Sequence, residues 1–279
     1  MSKPSESRAI GVFDSGFGGL TIFKKIRERL PGYDYIYLGD NARTPYGNRS
    51  FEAVLKFTTE CVEYLFSLGC PLIIIACNTA SAKALRNIQQ LYLPGAYPDR
   101  RVLGVIRPTV ESAERYTRNH SVALWATHGT VQSQSFKIEL SKHAPRVRLV
   151  QQACPLLVPL VEAGELEGQG LDYFVAKYWQ LTAARAKDID TLLLGCTHYP
   201  LLLPRIRALI PSGVTICAQD EIVAPSLADY LGRHPEMETR LSRGGRLRFL
   251  TTDSCDHFDR LAEIFMGQAI SSERVELGD

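Results

Sequence analysis

Apolar residues recur along this chain in two alternating rhythms. Short runs at 9–13, 35–38, 72–76, 121–126 and 191–194 are apolar on nearly every position. That is the pattern of strands buried on both faces. Between them, apolar residues fall at helical spacing, as with Leu20, Ile22, Phe23, Ile26 and Leu30. The spacing predicts helices over 20–30, 50–68, 80–92, 131–140, 171–186, 201–209 and 221–231. The second opens on Ser50, an N-cap residue type, with Glu52 in its first turn. Further strands are predicted at 101–106, 146–151 and 214–216. A polar loop at 232–245 precedes a last strand and helix.

Strand followed by helix, repeated, implies an α/β fold of mainly parallel sheets flanked by helices, joined by right-handed crossovers. The turn-rich loop LPGAYPDR (93–100) predicts a domain boundary, and IPSG (210–213) a return point. The expected organisation is a first α/β domain over 1–99 and a similar second one over 100–212. Residues 213–279 form a return segment, packing at least partly on the first.

Composition removes several function classes. With 32 basic and 30 acidic residues, the charge balance gives no electrostatic case for nucleic acid or anionic membranes. The arginines at 240, 243, 246 and 248 read as a solvated loop and strand edge. The polar start, MSKPSESRAIGVF, reads as no signal peptide, and no apolar run is long enough to span a membrane. A cytoplasmic protein is expected. The seven cysteines form no C-x-x-C pair, so free thiols in a reducing compartment are expected. Cys61, Cys70, Cys154, Cys217 and Cys255 read as small buried apolar residues.

Cys77 and Cys196 are different. Cys77 ends a predicted strand and precedes Asn78, Thr79 and Ser81, all N-cap residue types. Ligands of open α/β sheets bind beyond the carboxyl ends of strands. A helix start there favours a thiolate; the plain alternative is a buried strand-end thiol. Cys196 repeats the arrangement, with His198 two residues on, near enough to assist proton movement. The segments LIIIACNTASAKAL (72–85) and LLLGCTHYPLLL (192–203) share this design, which predicts two similar half-sites. No ligand pair of zinc-like spacing accompanies Cys196 and His198, so a metal site is not expected.

Two loops complete the candidates. FDSGFGGLTI (13–22) brings Asp14 and Ser15 to a strand end, followed by glycines that let backbone N–H groups approach an anion. Thr21 occupies the third glycine position of a dinucleotide fingerprint, and no phosphate-loop lysine follows. The loop suits a small acidic ligand. GDNARTPYGNRS (39–50) carries the Pro45-Tyr46-Gly47 turn, which offers backbone donors or is an ordinary turn.

Taken in order, IGVFDSGFGGLTI, YLGDNARTPYGNRS, IIIACNTASA, ATHGTVQS, CPLLVPLVEAG, LLLGCTHYPLL and FLTTDSCDHF resemble the glutamate racemases of the Asp/Glu racemase family across nearly the whole chain. The resemblance implies two α/β domains with the site in the cleft between them. It implies that Cys77 removes the α-proton of D-glutamate and Cys196 that of L-glutamate, with no pyridoxal phosphate or metal. Asp14 would support Cys77, His198 would support Cys196, and Glu162 would add to the electrostatics. Substrate contacts would come from Asp14, Ser15, Tyr46, Gly47, Asn78, Thr79, Thr127, Thr197 and His198. A homodimer supplying D-glutamate for peptidoglycan is implied as well. The chain departs from many relatives at GVIRPTVES (104–112), where Arg107 and Thr109 fall near the expected hinge. The rival readings are a racemase for another acidic amino acid such as aspartate, a non-catalytic regulator on the same fold, and a thiol hydrolase.

Overall fold

The short apolar runs form strands of two separate parallel sheets. The computed structural model describes residues 8–278; the start of the polar segment read for a leader, residues 1–7, lies outside them. The strands are β1 Ile10–Asp14, β2 Tyr35–Gly39, β3 Leu72–Ile75, β4 Arg101–Gly104, β5 Ser121–Ala126, β6 Arg148–Ala153, β7 Thr191–Gly195, β8 Thr215–Ala218, β9 Leu247–Thr251 and β10 Ser272–Arg274. One sheet has the order β10-β9-β2-β1-β3-β4 and the other β6-β5-β7-β8. Every pairing within them is parallel.

The principal helices are α1 Gly19–Arg29, α2 Phe51–Ser67, α3 Asn78–Lys83, α4 Ile106–Tyr116, α5 His128–Gln132, α6 Ser135–His143, α7 Leu157–Glu162, α8 Gln169–Ala183, α9 Asp220–Arg233 and α10 Cys255–Met266. Every residue of β1, β3, β5 and β7 is buried, because helices cover both faces. Successive side chains of β1 and β3 enter opposite cores. Val12 and Ile74 pack in the core that holds Leu20, Phe23 and Ile26 of α1. Phe13, Ile73 and Ile75 pack in the core that holds Val54, Val62 and Leu65 of α2. Ser50 caps α2 as expected, accepting from the Ala53 N–H at 3.1 Å.

The structure places several boundaries elsewhere. β4 pairs with β3, so the chain leaves the first sheet after Gly104 rather than at 93–100. Part of that loop, Leu93–Ala96, is helical. The segment after β4 is α4, with Ile106, Val110 and Ala113 on its buried face. Pro108 is tolerated there because the first turn of a helix has no intrahelical use for that N–H. Gln134 adopts a left-handed backbone, φ 57°, and splits the helix expected over 131–140 into α5 and α6. β8 pairs with β7 in the second sheet, whereas α9 packs on α1 and β9 and β10 extend the first sheet beside β2. Four of the five background cysteines are buried, but Cys255, in the first turn of α10, is partly exposed. No helix among the described residues is long and apolar enough to cross a membrane.

The arginines at 240–248 are each ion-paired, with Asp99, Glu238, Asp34 and Glu273 in turn. The pair that matters energetically is Arg246–Asp34, because Asp34 is buried. The Arg246 guanidinium donates to it at 2.7 Å and the Arg246 N–H at 2.9 Å. These bonds hold the Asp34 carboxyl down from 3.8 to about 2. A lowered folded pKa stabilises the protein above the unfolded value and loses that contribution as pH falls through the folded one. Asp34→Asn is therefore expected to cost about 2 kcal/mol at pH 7 and to flatten the loss of stability between about pH 5 and 2. Urea unfolding of both proteins across that range checks it; parallel pH curves would contradict it.

Candidate functional site

The loops singled out above converge between the carboxyl ends of the two sheets, where parallel sheets of this type present ligand sites. There they enclose a cavity of about 130 Å³. Pockets for drug-sized ligands run about 300–1,000 Å³, so this one suits a small molecule. Ser15, Tyr46, Gly47, Cys77, Asn78, Thr79, Thr127, Glu162, Cys196, Thr197 and His198 all line it. Asp14 alone among the expected site residues does not; it is fully buried behind the wall.

Cys77 follows β3 and is the N-cap of α3, its sulfur accepting from the Ala80 N–H at 3.4 Å. Ser15 Oγ lies 3.2 Å from the sulfur. The expected thiolate-favouring effect of the helix start is present but outweighed. Burial first, then the neighbouring Asp14 carboxyl, push the Cys77 thiol up to about 12. Asp14 itself is raised by burial, although the charge at His198 and the Gly19 and Gly16 N–H groups act against the rise. One of its oxygens accepts from Gly16 at 2.9 Å, while the other has no partner.

Cys196 follows β7, and His198 Nδ1 is 3.9 Å from its sulfur. His198 Nε2 is 3.0 Å from Glu162 Oε1 at the end of α7. Burial would lower the His198 pKa, but the bonds to Cys196 and Glu162 win and raise it to about 10. His198 is therefore an imidazolium at neutral pH, donating toward a sulfur on one side and a carboxylate on the other.

The Tyr46 hydroxyl is not a ligand group. It is bonded to Asp40, which also accepts from Arg43 at 2.7 Å and Thr252 at 2.9 Å. What this turn offers the cavity is backbone: Tyr46–Asn48 is a helical turn, whose first N–H groups have no partner within it. Across the cleft, Thr79 Oγ1 lies 2.9 Å from Thr127 Oγ1, and both approach Thr130.

Sequence reasoning missed the contacts that hold the half-sites together. Thr21 donates to the Thr197 carbonyl at 2.9 Å. A Cβ on Gly18 would lie 2.3 Å from Thr197 Oγ1 and 2.4 Å from His198 Nδ1. The second glycine of the GFGG run is thus the place where the first domain's loop rests against the second domain's Thr-His pair. Its glycine was visible in the sequence; its partner was not. His128, Pro155, Val158 and Pro159 also line the cavity; all four sit in segments picked out above, ATHGTVQS and CPLLVPLVEAG, but were not singled out as site residues.

Known proteins resemble this chain over nearly its whole length. The Asp/Glu/hydantoin racemase family model matches residues 10–223. A glutamate racemase from Paracoccus denitrificans is 41% identical over 276 residues, 95% of this chain and 99% of the relative. The crystal structure of a glutamate racemase from Bacillus anthracis superposes with a TM-score of 0.87 at 34% identity, covering 98% of each chain. That of the Francisella tularensis glutamate racemase in complex with D-glutamate gives 0.85 at 32% identity, again over 98% of each.

Proposed function

The chain belongs to the Asp/Glu/hydantoin racemase family, and on that premise we propose that it interconverts L- and D-glutamate by acid–base chemistry at Cys77 and Cys196. The observation that carries this reading is that two thiols, each beyond a buried strand of a different sheet, line one small cavity. Inversion of a stereocentre needs a base on one face and an acid on the other, and two separate sheets supply two directions of approach.

The two thiols sit in different surroundings. Cys77 is held as a thiol by burial. His198 Nδ1 faces the Cys196 sulfur and puts a proton carrier within reach of it. With Cys196 acting as base, it takes the α-proton of L-glutamate and Cys77 gives one to the opposite face, yielding D-glutamate. The reverse reaction starts from the swapped state. The carbanion between the two steps is the difficult species. Backbone N–H groups of the Tyr46–Asn48 turn and the polar groups of Ser15, Asn78, Thr79, Thr127 and Thr197 surround it in a site largely closed to water, where fixed donors act strongly.

His198 must stay protonated for this arrangement, so activity falls as pH rises through its pKa, near 10. Glu162→Gln removes one of the bonds that raise it. The alkaline limb of kcat/KM is expected to move about one pH unit down, by the same amount in both directions. Enantiomers are equal in free energy, so the two kcat/KM values stay equal. An unmoved alkaline limb would detach Glu162 from His198.

Incubation in deuterated water with each enantiomer of glutamate and aspartate, followed by circular dichroism and mass spectrometry, tests the whole reading. Loss of optical rotation with α-deuterium incorporation is expected for glutamate. Preference for aspartate would overturn the substrate. Absence of exchange with either would overturn the reaction. The proposed setting is a cytoplasmic homodimer that supplies D-glutamate to peptidoglycan.

A further inference from the structure

We propose that Gln219 is a positioning residue that, anchored by Thr109, fixes which end of the Asn78 side-chain amide is offered to the substrate. The inference rests on the reading of the cavity as a site for an amino-acid carboxylate.

Gln219 follows β8 in the second sheet, and Asn78 opens α3 beyond β3 in the first. Gln219 is 1% exposed and Asn78 3%. Their amides bond reciprocally across the domains. Asn78 Nδ2 donates to Gln219 Oε1 at 2.5 Å, and Gln219 Nε2 donates to Asn78 Oδ1 at 3.0 Å. Gln219 lines no part of the cavity, whereas Asn78 does.

Such a pair has two orientations of nearly the same shape, with both amides flipped together. The surroundings choose one. Thr109 donates its only hydroxyl hydrogen to the Val105 carbonyl at 2.7 Å. Its oxygen can then only accept, and it lies 2.8 Å from Gln219 Nε2. The Val105 carbonyl also faces Nε2, at 3.5 Å. A flipped Gln219 would turn its carbonyl oxygen toward the Val105 carbonyl and, to be satisfied by Thr109, would take the hydroxyl hydrogen that Thr109 gives to Val105. The chain of donors runs one way: Gln219 to Thr109, and Thr109 to Val105. The nitrogen of Asn78 accordingly faces Gln219 Oε1, and its second N–H is left for a ligand in the cavity that Asn78 lines. A carboxylate oxygen accepts from that N–H. The flipped amide would instead oppose it with a carbonyl oxygen. α4 thus sets the polarity of a ligand group it never touches.

A hydrogen bond to a charged group is commonly worth about ten- to a hundredfold in binding. An interaction made equally in ground and transition states appears in KM and not in kcat. Gln219→Leu and Thr109→Val in the full chain are expected to raise KM about tenfold, with kcat within about threefold of wild type. Thr109→Ser keeps the hydroxyl and is expected to retain the wild-type KM. In an Asn78→Ala background, Gln219→Leu is expected to change KM by less than about twofold, because the relay acts only through Asn78.

An unchanged KM in folded Thr109→Val overturns the proposal. So does a Gln219→Leu effect that persists in full without Asn78, since a purely structural role would survive there. Should Gln219→Leu fail to fold, the Thr109→Val and Thr109→Ser pair decides alone. If the protein racemises aspartate and not glutamate, the proposed substrate falls, and the same variants measured on aspartate still decide the role of Gln219. A protein without racemase activity overturns both.

Discussion

Cys77→Ala and Cys196→Ala are each expected to lose racemisation to background, a fall of at least about 10²–10⁴-fold, while far-ultraviolet circular dichroism stays that of the wild type. Both sulfurs are at the cavity wall and carry no structural bond stronger than a sulfur contact. Removing one takes away the proton donor or acceptor on one face and leaves the other in place. The remaining thiol can still remove a proton and return it to the same side. Cys77→Ala is therefore expected to wash solvent deuterium into L-glutamate alone, and Cys196→Ala into D-glutamate alone. This one-sided exchange separates a two-thiol mechanism from a general loss of binding, which would silence both enantiomers alike. Substantial racemisation by either variant, or exchange of both enantiomers by one of them, would sink the assignment.

Gly18→Ala should be almost as damaging, although Gly18 is not among the residues that line the cavity between the sheets. A Cβ at this position would sit 2.3 Å from Thr197 Oγ1 and 2.6 Å from His198 Cε1. Neither neighbour can yield freely. Thr197 accepts from Thr21 through its carbonyl, and His198 is held by Glu162 and packed edge-on against Phe265. The methyl group must push the two half-sites apart or rotate His198 away from Cys196. A misplacement of about 1 Å can cost about 10²-fold in rate, so kcat/KM is expected to fall by roughly that factor. Gly32→Ala, where the added carbon meets nothing within 4 Å, serves as the neutral control. Wild-type kcat/KM in Gly18→Ala would show that the approach of the two loops does not set the active geometry.

Much of the fold was legible because burial on both faces leaves a simple mark. β3 and β7 are unbroken apolar runs whose length and flanking turn residues favour a buried strand. Cys77 and Cys196 were legible for a related reason: each ends such a run and is followed at once by polar residues that begin a helix or turn. α4 was obscured by Pro108, which resembles a helix breaker until its place in the first turn is known. The break at Gln134 left no mark either, because glutamine carries no preference for a left-handed backbone.

The order of strand and helix and the two strand-end cysteines that mark the half-sites were set by the local sequence, since each depends on residues within a few positions of one another. What the tertiary structure alone decided is how those pieces act on each other. Gly18 meets His198, Asn78 meets Gln219, and Cys77 is kept a thiol despite the helix start beneath it. These outcomes depend on distances between groups far apart in the chain and on how much water the second domain excludes. Neither quantity is written in the residues around any one of them.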